Sequence, residues 1–149
     1  MALPRSTANG MKTQKRIFAY DPATQRLTSA TNPENGAVSY TYNADGTLAS
    51  KRDANGNTET YTYDAYQRLT AIPDRQQTFT YDTCPANAAG CVSAPGQLVQ
   101  ATFASMVGLN DLNFEYNYAY TPAGKVSSKT LEVQSANHVS MGDVKAWGA

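Results

Sequence analysis

Aromatic and polar residues alternate along short stretches of this chain. Between residues 114 and 120 every second position is aromatic, with the rings of Phe114, Tyr116, Tyr118 and Tyr120. Because successive side chains of a β-strand point to opposite faces, this spacing places four rings on one face of one strand. Apolar residues do not recur at the spacing of an amphipathic helix over three turns anywhere in the chain. The pattern predicts an all-β protein.

The alternating stretches belong to a longer repeat. An aromatic-x-Tyr triplet occurs five times and ends at Tyr20, Tyr42, Tyr63, Tyr81 and Tyr120. Asp or Asn follows the tyrosine in four copies and Thr in the fifth, and the Asp and Asn side chains start turns by bonding nearby backbone amides. An aliphatic residue then returns, at Leu27, Leu48, Leu69, Leu98 and Val126. The unit is therefore a strand, a tight turn, a second strand and another turn.

This period predicts equivalent places for the five tyrosines. We expect them to lie on one side of the sheet and to be mostly buried, with the five aliphatic residues close by. The opposite face should carry Thr, Ser, Lys and Gln. The gap before the last triplet is about twice the others, so one repeat there is degenerate or carries an insertion.

The residues of these units resemble the Rhs/YD-repeat family, whose unit reads Tyr-x-Tyr-Asp, a short turn and Gly-Arg-Leu. Residues 61–69, Tyr-Thr-Tyr-Asp-Ala-Tyr-Gln-Arg-Leu, carry the resemblance, and residues 18–27 and 40–48 repeat it. It covers about residues 16 to 129. The resemblance implies tandem antiparallel β-hairpin (YD) repeats that form a twisted, curled sheet of about ten strands, a segment of an Rhs-type shell.

Members of this family coil their repeats into large shells. Such shells enclose a C-terminal toxin in bacterial polymorphic toxins and in insecticidal toxin complexes, and the animal relatives are teneurins. Five repeats are too few for a closed shell, and the Asp-Pro-x-Gly-Leu signature of the bacterial core is absent. Residues 130–149 are too short for a toxin domain, so toxicity is not part of the expectation.

The repeats suggest three segments. Residues 15–133 form the repeat domain, which includes a long loop with Cys84 and Cys91. Residues 1–14 are polar and small and form a flexible N-terminal segment, and residues 134–149 form a C-terminal tail.

The two cysteines flank a loop rich in Pro, Ala and Gly. There is no CxxC motif, and the single histidine, His138, is distant in sequence. We therefore expect a Cys84–Cys91 disulfide, with free thiols and a metal site as the alternatives. A disulfide implies a secreted or cell-surface protein, although no signal peptide is visible in this chain and no stretch approaches a membrane span.

The chain offers little that points to chemistry. Its formal net charge is zero, which leaves no electrostatic footprint for nucleic acid. Carboxylates occur once per turn, which favours turn capping over calcium binding; these are Asp21, Asp45, Asp53, Asp64 and Asp82. No nucleophile elbow or phosphate-binding glycine loop is present. We expect no catalytic, cofactor-binding or metal site, and no enzyme.

Together these features predict a non-catalytic structural Rhs/YD-repeat module, part of or derived from a shell-forming repeat protein. Its partners would be neighbouring repeats or copies of itself, bound through open sheet edges. The alternative is a carbohydrate- or cell-surface-binding module that presents exposed tyrosines to a glycan. A third class, an enzyme such as a glycosidase or autoprotease, would need converging carboxylates, which the repeat does not predict.

Overall fold

The computed structural model describes residues 4–7, 10–86, 88–104 and 112–135. These ranges contain strands, turns and one short 3-10 turn at Pro73–Arg75, and no α-helix. The all-β prediction is confirmed. The strands are β1 (Pro4–Thr7), β2 (Gly10–Thr13), β3 (Ile17–Tyr20), β4 (Leu27–Asn32), β5 (Gly36–Tyr42), β6 (Leu48–Arg52), β7 (Thr58–Thr60), β8 (Thr62–Tyr63), β9 (Leu69–Ile72), β10 (Gln77–Asp82), β11 (Ala94–Ala104), β12 (Leu112–Tyr120) and β13 (Val126–Ser135).

The strands form antiparallel sheets in two compact units, divided between Tyr61 and Thr62. The first unit holds the β1–β2 pair and a five-stranded sheet in the order β3-β4-β5-β6-β7. The second holds a six-stranded sheet in the order β13-β12-β11-β10-β9-β8. The sequence predicted one sheet, whereas the strand of the third triplet is split: β7 pairs with β6, and β8 pairs with β9. At the split, the Tyr61 N–H donates to the carbonyl of Ala49 (3.0 Å).

The structure describes part of each predicted end segment. Residues 1–14, expected to be loosely ordered, contain β1 and β2, which pair antiparallel. The last strand reaches Ser135, just beyond the expected end of the repeat domain at residue 133. The rest of the predicted tail, with His138, lies outside the described residues.

All five triplets have the same register. Each terminal tyrosine lies opposite the aliphatic residue of its own repeat, in the pairs Tyr20–Leu27, Tyr42–Leu48, Tyr63–Leu69, Tyr81–Leu98 and Tyr120–Val126. In each pair the register shifts immediately before the tyrosine. A bulge of this kind bends a strand and increases its twist. The equivalent places predicted from the period are therefore present.

Four of the tight turns share one geometry, and three of them directly follow a repeat tyrosine. In the second repeat, the Asn43 N–H donates to the Thr47 carbonyl and the Gly46 N–H donates to the Asn43 carbonyl (2.9 and 3.0 Å). The same two bonds recur in the turns that begin at Asp53, Asp64 and Thr121. The fourth residue of each turn is left-handed, and three of the four turns place glycine there, the residue that adopts this conformation without strain.

The two faces of β5 differ in exposure as predicted, whereas in β12 the residues between the rings, Asn117 and Ala119, are the buried ones. In β5, Val38, Tyr40 and Tyr42 are half-buried, whereas the alternating Ser39 and Thr41 are exposed. Only a few residues of the described chain are buried, namely Ala30, Val99, Gln100, Ala101, Asn117 and Ala119. The described part of the chain therefore contains little buried core, and its repeat tyrosines are half-buried or exposed.

Candidate functional site: the junctions between repeats

Three of the predicted tyrosines bond to the preceding repeat. The hydroxyl of Tyr42 donates to the carbonyl oxygen of Leu27 (2.9 Å). Tyr81 donates to Leu69 (3.0 Å) and Tyr120 to Leu98 (2.6 Å) in the same way. In all three bonds the acceptor is the backbone carbonyl of the leucine that follows the turn in the preceding hairpin. Each bond therefore joins one hairpin to the next.

The remaining two tyrosines, Tyr20 and Tyr63, lie in the first repeat hairpin of their sheets. Neither has a preceding hairpin in its own sheet, and neither hydroxyl has a hydrogen bond within the described residues. Tyr20 is 57% exposed and Val126, in the last strand, is 56% exposed. The expectation of burial is wrong for Tyr20, because it lies on the edge strand β3, where no neighbouring hairpin of the sheet covers it. The other four tyrosines and the four leucines are half-buried.

An arginine strengthens the junction in the second unit. Arg68 precedes Leu69, and its Nε donates to Asp64 Oδ2 (2.7 Å) within its own turn. Its two terminal nitrogens donate to both carboxylate oxygens of Asp82, in the next repeat (3.0 and 2.7 Å). The guanidinium carbon also lies 4.4 Å from the ring centre of Tyr81. Planar, bidentate pairing with a carboxylate and stacking on an aromatic ring are both properties of arginine.

The first unit contains a weaker form of the same contact. Arg26 precedes Leu27, and its guanidinium carbon lies 5.6 Å from the ring centre of Tyr42. Its Nη1 donates to the carbonyl oxygen of Asn43 (3.4 Å). In both units, the arginine before the leucine of one repeat lies over the repeat tyrosine of the next repeat. It bonds to the residue directly after that tyrosine, Asn43 in the first unit and Asp82 in the second.

The junction also shifts the acidity of its groups. Hydrogen bonds from Arg68, and then from the Gly96 N–H, lower the pKa of Asp82 to about 2. Burial raises the pKa of the Tyr81 hydroxyl and of the Tyr120 hydroxyl. Asp82 is therefore ionised across the physiological range, and the two tyrosines keep the protons that they donate to Leu69 and Leu98.

Four of the predicted aspartates cap turns. Asp21 Oδ1 accepts from the N–H groups of Ala23 and Thr24, and Asp45 Oδ1 accepts from Thr47. Asp53 and Asp64 each accept two turn amides in the same manner. The fifth, Asp82, instead accepts from Gly96 and Arg68. Within the described ranges, no three His, Cys, Asp or Glu side chains gather as they would around a metal ion.

The predicted disulfide between Cys84 and Cys91 is confirmed, with the Cα atoms 6.0 Å apart. The disulfide closes a loop within the insertion that separates Tyr81 from Leu98. The Val92 N–H donates to the Tyr118 carbonyl (3.2 Å), and a Cβ built on Gly90 would lie 2.7 Å from Thr130 Oγ1. The loop therefore lies over β12 and β13.

Two polar residues in this region are buried, which the sequence did not predict. Asn117, the register partner of Thr130, is fully buried, and Gln100 is 7% exposed. Their amide groups donate to Glu115 Oε1 (2.8 and 2.7 Å), and Gln100 also donates to Asn117. The sequence shows only that the loop with Cys84 and Cys91 is a long insertion. The length of the loop does not predict that Asn117 and Gln100 are buried.

The second sheet also carries a cluster of rings. Phe103 stacks on Phe114, with ring centres 4.9 Å apart, and contacts Tyr116 at 5.6 Å. The Nζ of Lys129 lies 3.7 Å from the ring centre of Tyr116 and 5.6 Å from that of Tyr118. A cation thus occupies one face of the rings that a sugar would use for stacking.

Residues 42–74 match the family model described as RHS Repeat. No curated protein matches the chain. The matched residues begin at the junction tyrosine Tyr42 and include Arg68 and the capped turns at Asp53 and Asp64. In the described part of the chain, no helix is long and apolar enough to cross a membrane. The resemblance to Rhs/YD repeats, read from the triplets and turns, is therefore confirmed over residues 42–74.

Proposed function

We propose that this chain is a non-catalytic structural module, part of or derived from a shell-forming Rhs/YD-repeat protein. The carrying observation is that the tyrosine that defines the repeat donates its hydroxyl to the preceding repeat at Tyr42, Tyr81 and Tyr120. The most distinctive residue of the unit is thus used to hold hairpins together. A role in building an extended sheet accounts for its recurrence.

The alternative function, binding of a carbohydrate or cell-surface glycan, needs aromatic faces that are open to a ligand. Arg68 lies over the ring of Tyr81, and Lys129 lies over that of Tyr116. Among the exposed aromatic residues, Tyr66 is in contact with Arg68, at 5.1 Å from its ring centre. At these three rings the contacts favour the structural function, and the exposed rings of Phe18 and Tyr20 are the ones that a glycan could reach.

Association through sheet edges is the second part of the proposal. All four residues of β3 are exposed, with Ile17 and Phe18 each 51% exposed. β3 is an edge strand of the first sheet and β13 is an edge strand of the second. Exposed apolar edge strands pair readily with other strands. Neighbouring repeats or further copies of the chain are the partners that fit such an edge.

The disulfide supports a place for the protein outside the reducing cytosol, because such bonds persist in oxidising compartments. We therefore propose a secreted or cell-surface location. Mass spectrometry of the chain from its native source, without reductant, should find Cys84 linked to Cys91. Two alkylatable thiols would contradict this location.

Sedimentation velocity of the purified chain, over a wide range of concentrations without reductant, tests the proposed function. We expect the sedimentation coefficient to rise with concentration as edges pair. A monomer at every concentration would contradict association through edges. A glycan array provides the second arm: specific binding that is lost in Phe18→Ala or Tyr20→Ala would favour the carbohydrate-binding alternative.

A further inference from the structure

The internal junction has two complementary halves. The donor half is the tyrosine and the residue after it, as in Tyr81 and Asp82. The acceptor half is the aliphatic carbonyl and the cation before it, as in Leu69 and Arg68. At this junction the Tyr81 hydroxyl donates to the carbonyl, while Arg68 crosses the ring and pairs with Asp82. At the Leu27–Tyr42 junction the cation, Arg26, crosses the ring in the same way but donates to the Asn43 carbonyl.

The first repeat of the chain presents a donor half without a partner in the described ranges. It consists of Tyr20 and Asp21, on the exposed edge strand β3 and in the turn that follows. The Tyr20 ring is 57% exposed, and its hydroxyl makes no hydrogen bond within the described residues. Asp21 uses Oδ1 to cap its own turn, which leaves Oδ2 available to a cation.

The last repeat presents the matching acceptor half. Val126 lies opposite Tyr120 in the same register that places Leu98 opposite Tyr81, and it is 56% exposed on the edge strand β13. The residue before it is Lys125, at the place of Arg26 and Arg68. Lys125 is exposed, and its ammonium group makes no hydrogen bond or ion pair in the part of the chain that the structure describes.

From these two halves we propose that copies of this chain bind head to tail through one more junction of the internal kind. The Tyr20 hydroxyl of one copy donates to the Val126 carbonyl of another, and Lys125 of that copy lies over the Tyr20 ring and pairs with Asp21. Strand β13 then lies beside β3 as β4 lies beside β5. This inference rests on the proposed association through edges and assigns its partner and register.

The opposite charges of the two halves supply the specificity. An acid at the head and a base at the tail attract head-to-tail contacts and disfavour head-to-head and tail-to-tail ones. Because the two surfaces differ, the contact is heterologous, and its repetition gives a ring if the rotation closes or an open fibre if it does not.

Charge reversal at either half provides the test, with sedimentation velocity as the measurement. Asp21→Lys places two lysines at the junction, and Lys125→Glu places two acids there. Each variant alone should associate about tenfold or more weakly than the wild type. An equal mixture of the two should recover association, because each variant's altered half fits the altered half of the other.

Two further variants separate the junction from the fold. Asp45→Lys removes another turn-capping carboxylate and should leave association unchanged. Tyr20→Phe removes only a hydroxyl with no described partner inside the chain, so it should weaken association without lowering the thermal midpoint. If Asp21→Lys does not fold, weaker association of Lys125→Glu and of Tyr20→Phe still tests the proposed junction.

The outcomes distinguish the two proposals. If the wild type associates and the variants and their mixture behave like it, the proposed register is wrong and edge association stands. If the wild type stays a monomer at all concentrations, edge association itself is wrong, and this inference falls with it.

Discussion

Breaking the Cys84–Cys91 disulfide should destabilise the second unit and open the loop that lies over β12 and β13. The closed loop contains about eight residues, and the chain-entropy relation then gives about 2.5 kcal/mol at 25 °C. The cysteines are seven positions apart, so the effect is near the low end for disulfides. Loss of the loop's contact with Thr130 and of the Val92–Tyr118 hydrogen bond acts in the same direction.

Urea unfolding followed by circular dichroism measures this cost. The wild type is compared with and without reductant, and with Cys84→Ser/Cys91→Ser, which removes the bond at nearly constant side-chain volume. The reduced wild type and the double variant should lose the same free energy of unfolding. Reductant should leave the double variant unchanged, which provides the control.

Hydrogen exchange locates the effect. The amides of β12 near Asn117 should exchange faster after reduction, since the loop lies over this strand, while those of β5 in the other unit should not change. An unchanged urea midpoint together with unchanged exchange in β12 would show that the loop does not stabilise the sheet, and would refute the reasoning.

Two other predictions concern turn geometry and pH. Gly46 has φ +98° and a Cβ there would lie 2.8 Å from Arg26 Nη2, so Gly46→Ala should lower the free energy of unfolding by about 1–3 kcal/mol. Gly96→Ala, at φ +79° with open space around it, should lie at the lower end of that range by the same urea assay. Asp82 binds its proton more weakly when folded, with a pKa of about 2 against an ordinary 3.8. Its stabilising effect is therefore present above about pH 4 and is lost as the pH falls toward 2, and Asp82→Asn should flatten the pH dependence of the urea midpoint over that interval.

Local signals in the sequence were enough to predict the repeating unit. Turn chemistry acts over a few residues, so the Asp or Asn that follows four of the five tyrosines, together with the returning aliphatic residues, was enough to locate the hairpins. Side-chain alternation identified the tyrosine face for the same reason. The exposure of Tyr20 and Val126 was not predictable in this way, because alternation assigns a face and does not say whether another hairpin lies beside it.

Long-range contacts were the part that the sequence did not reveal. The absence of a CxxC motif and of a nearby histidine favoured a bond between Cys84 and Cys91, but the contact of Gly90 with Thr130 joins residues far apart in the chain. The Arg68–Asp82 pair likewise crosses from one repeat to the next. The division of the sheet at Tyr61 falls inside a triplet that looks like the others, so the pattern carries no mark of it.

The central claim is that the repeat tyrosines hold successive hairpins together, and the free energy of unfolding of one triple variant tests it most directly. Tyr42→Phe/Tyr81→Phe/Tyr120→Phe removes three hydroxyls that donate to three separate carbonyls. Each bond contributes about 1 kcal/mol, and without shared partners the effects add, so urea unfolding should show a loss of about 3 kcal/mol. Tyr66→Phe, at a ring 78% exposed, is the control and should stay within about 0.5 kcal/mol of the wild type. A triple variant as stable as this control would contradict the claim.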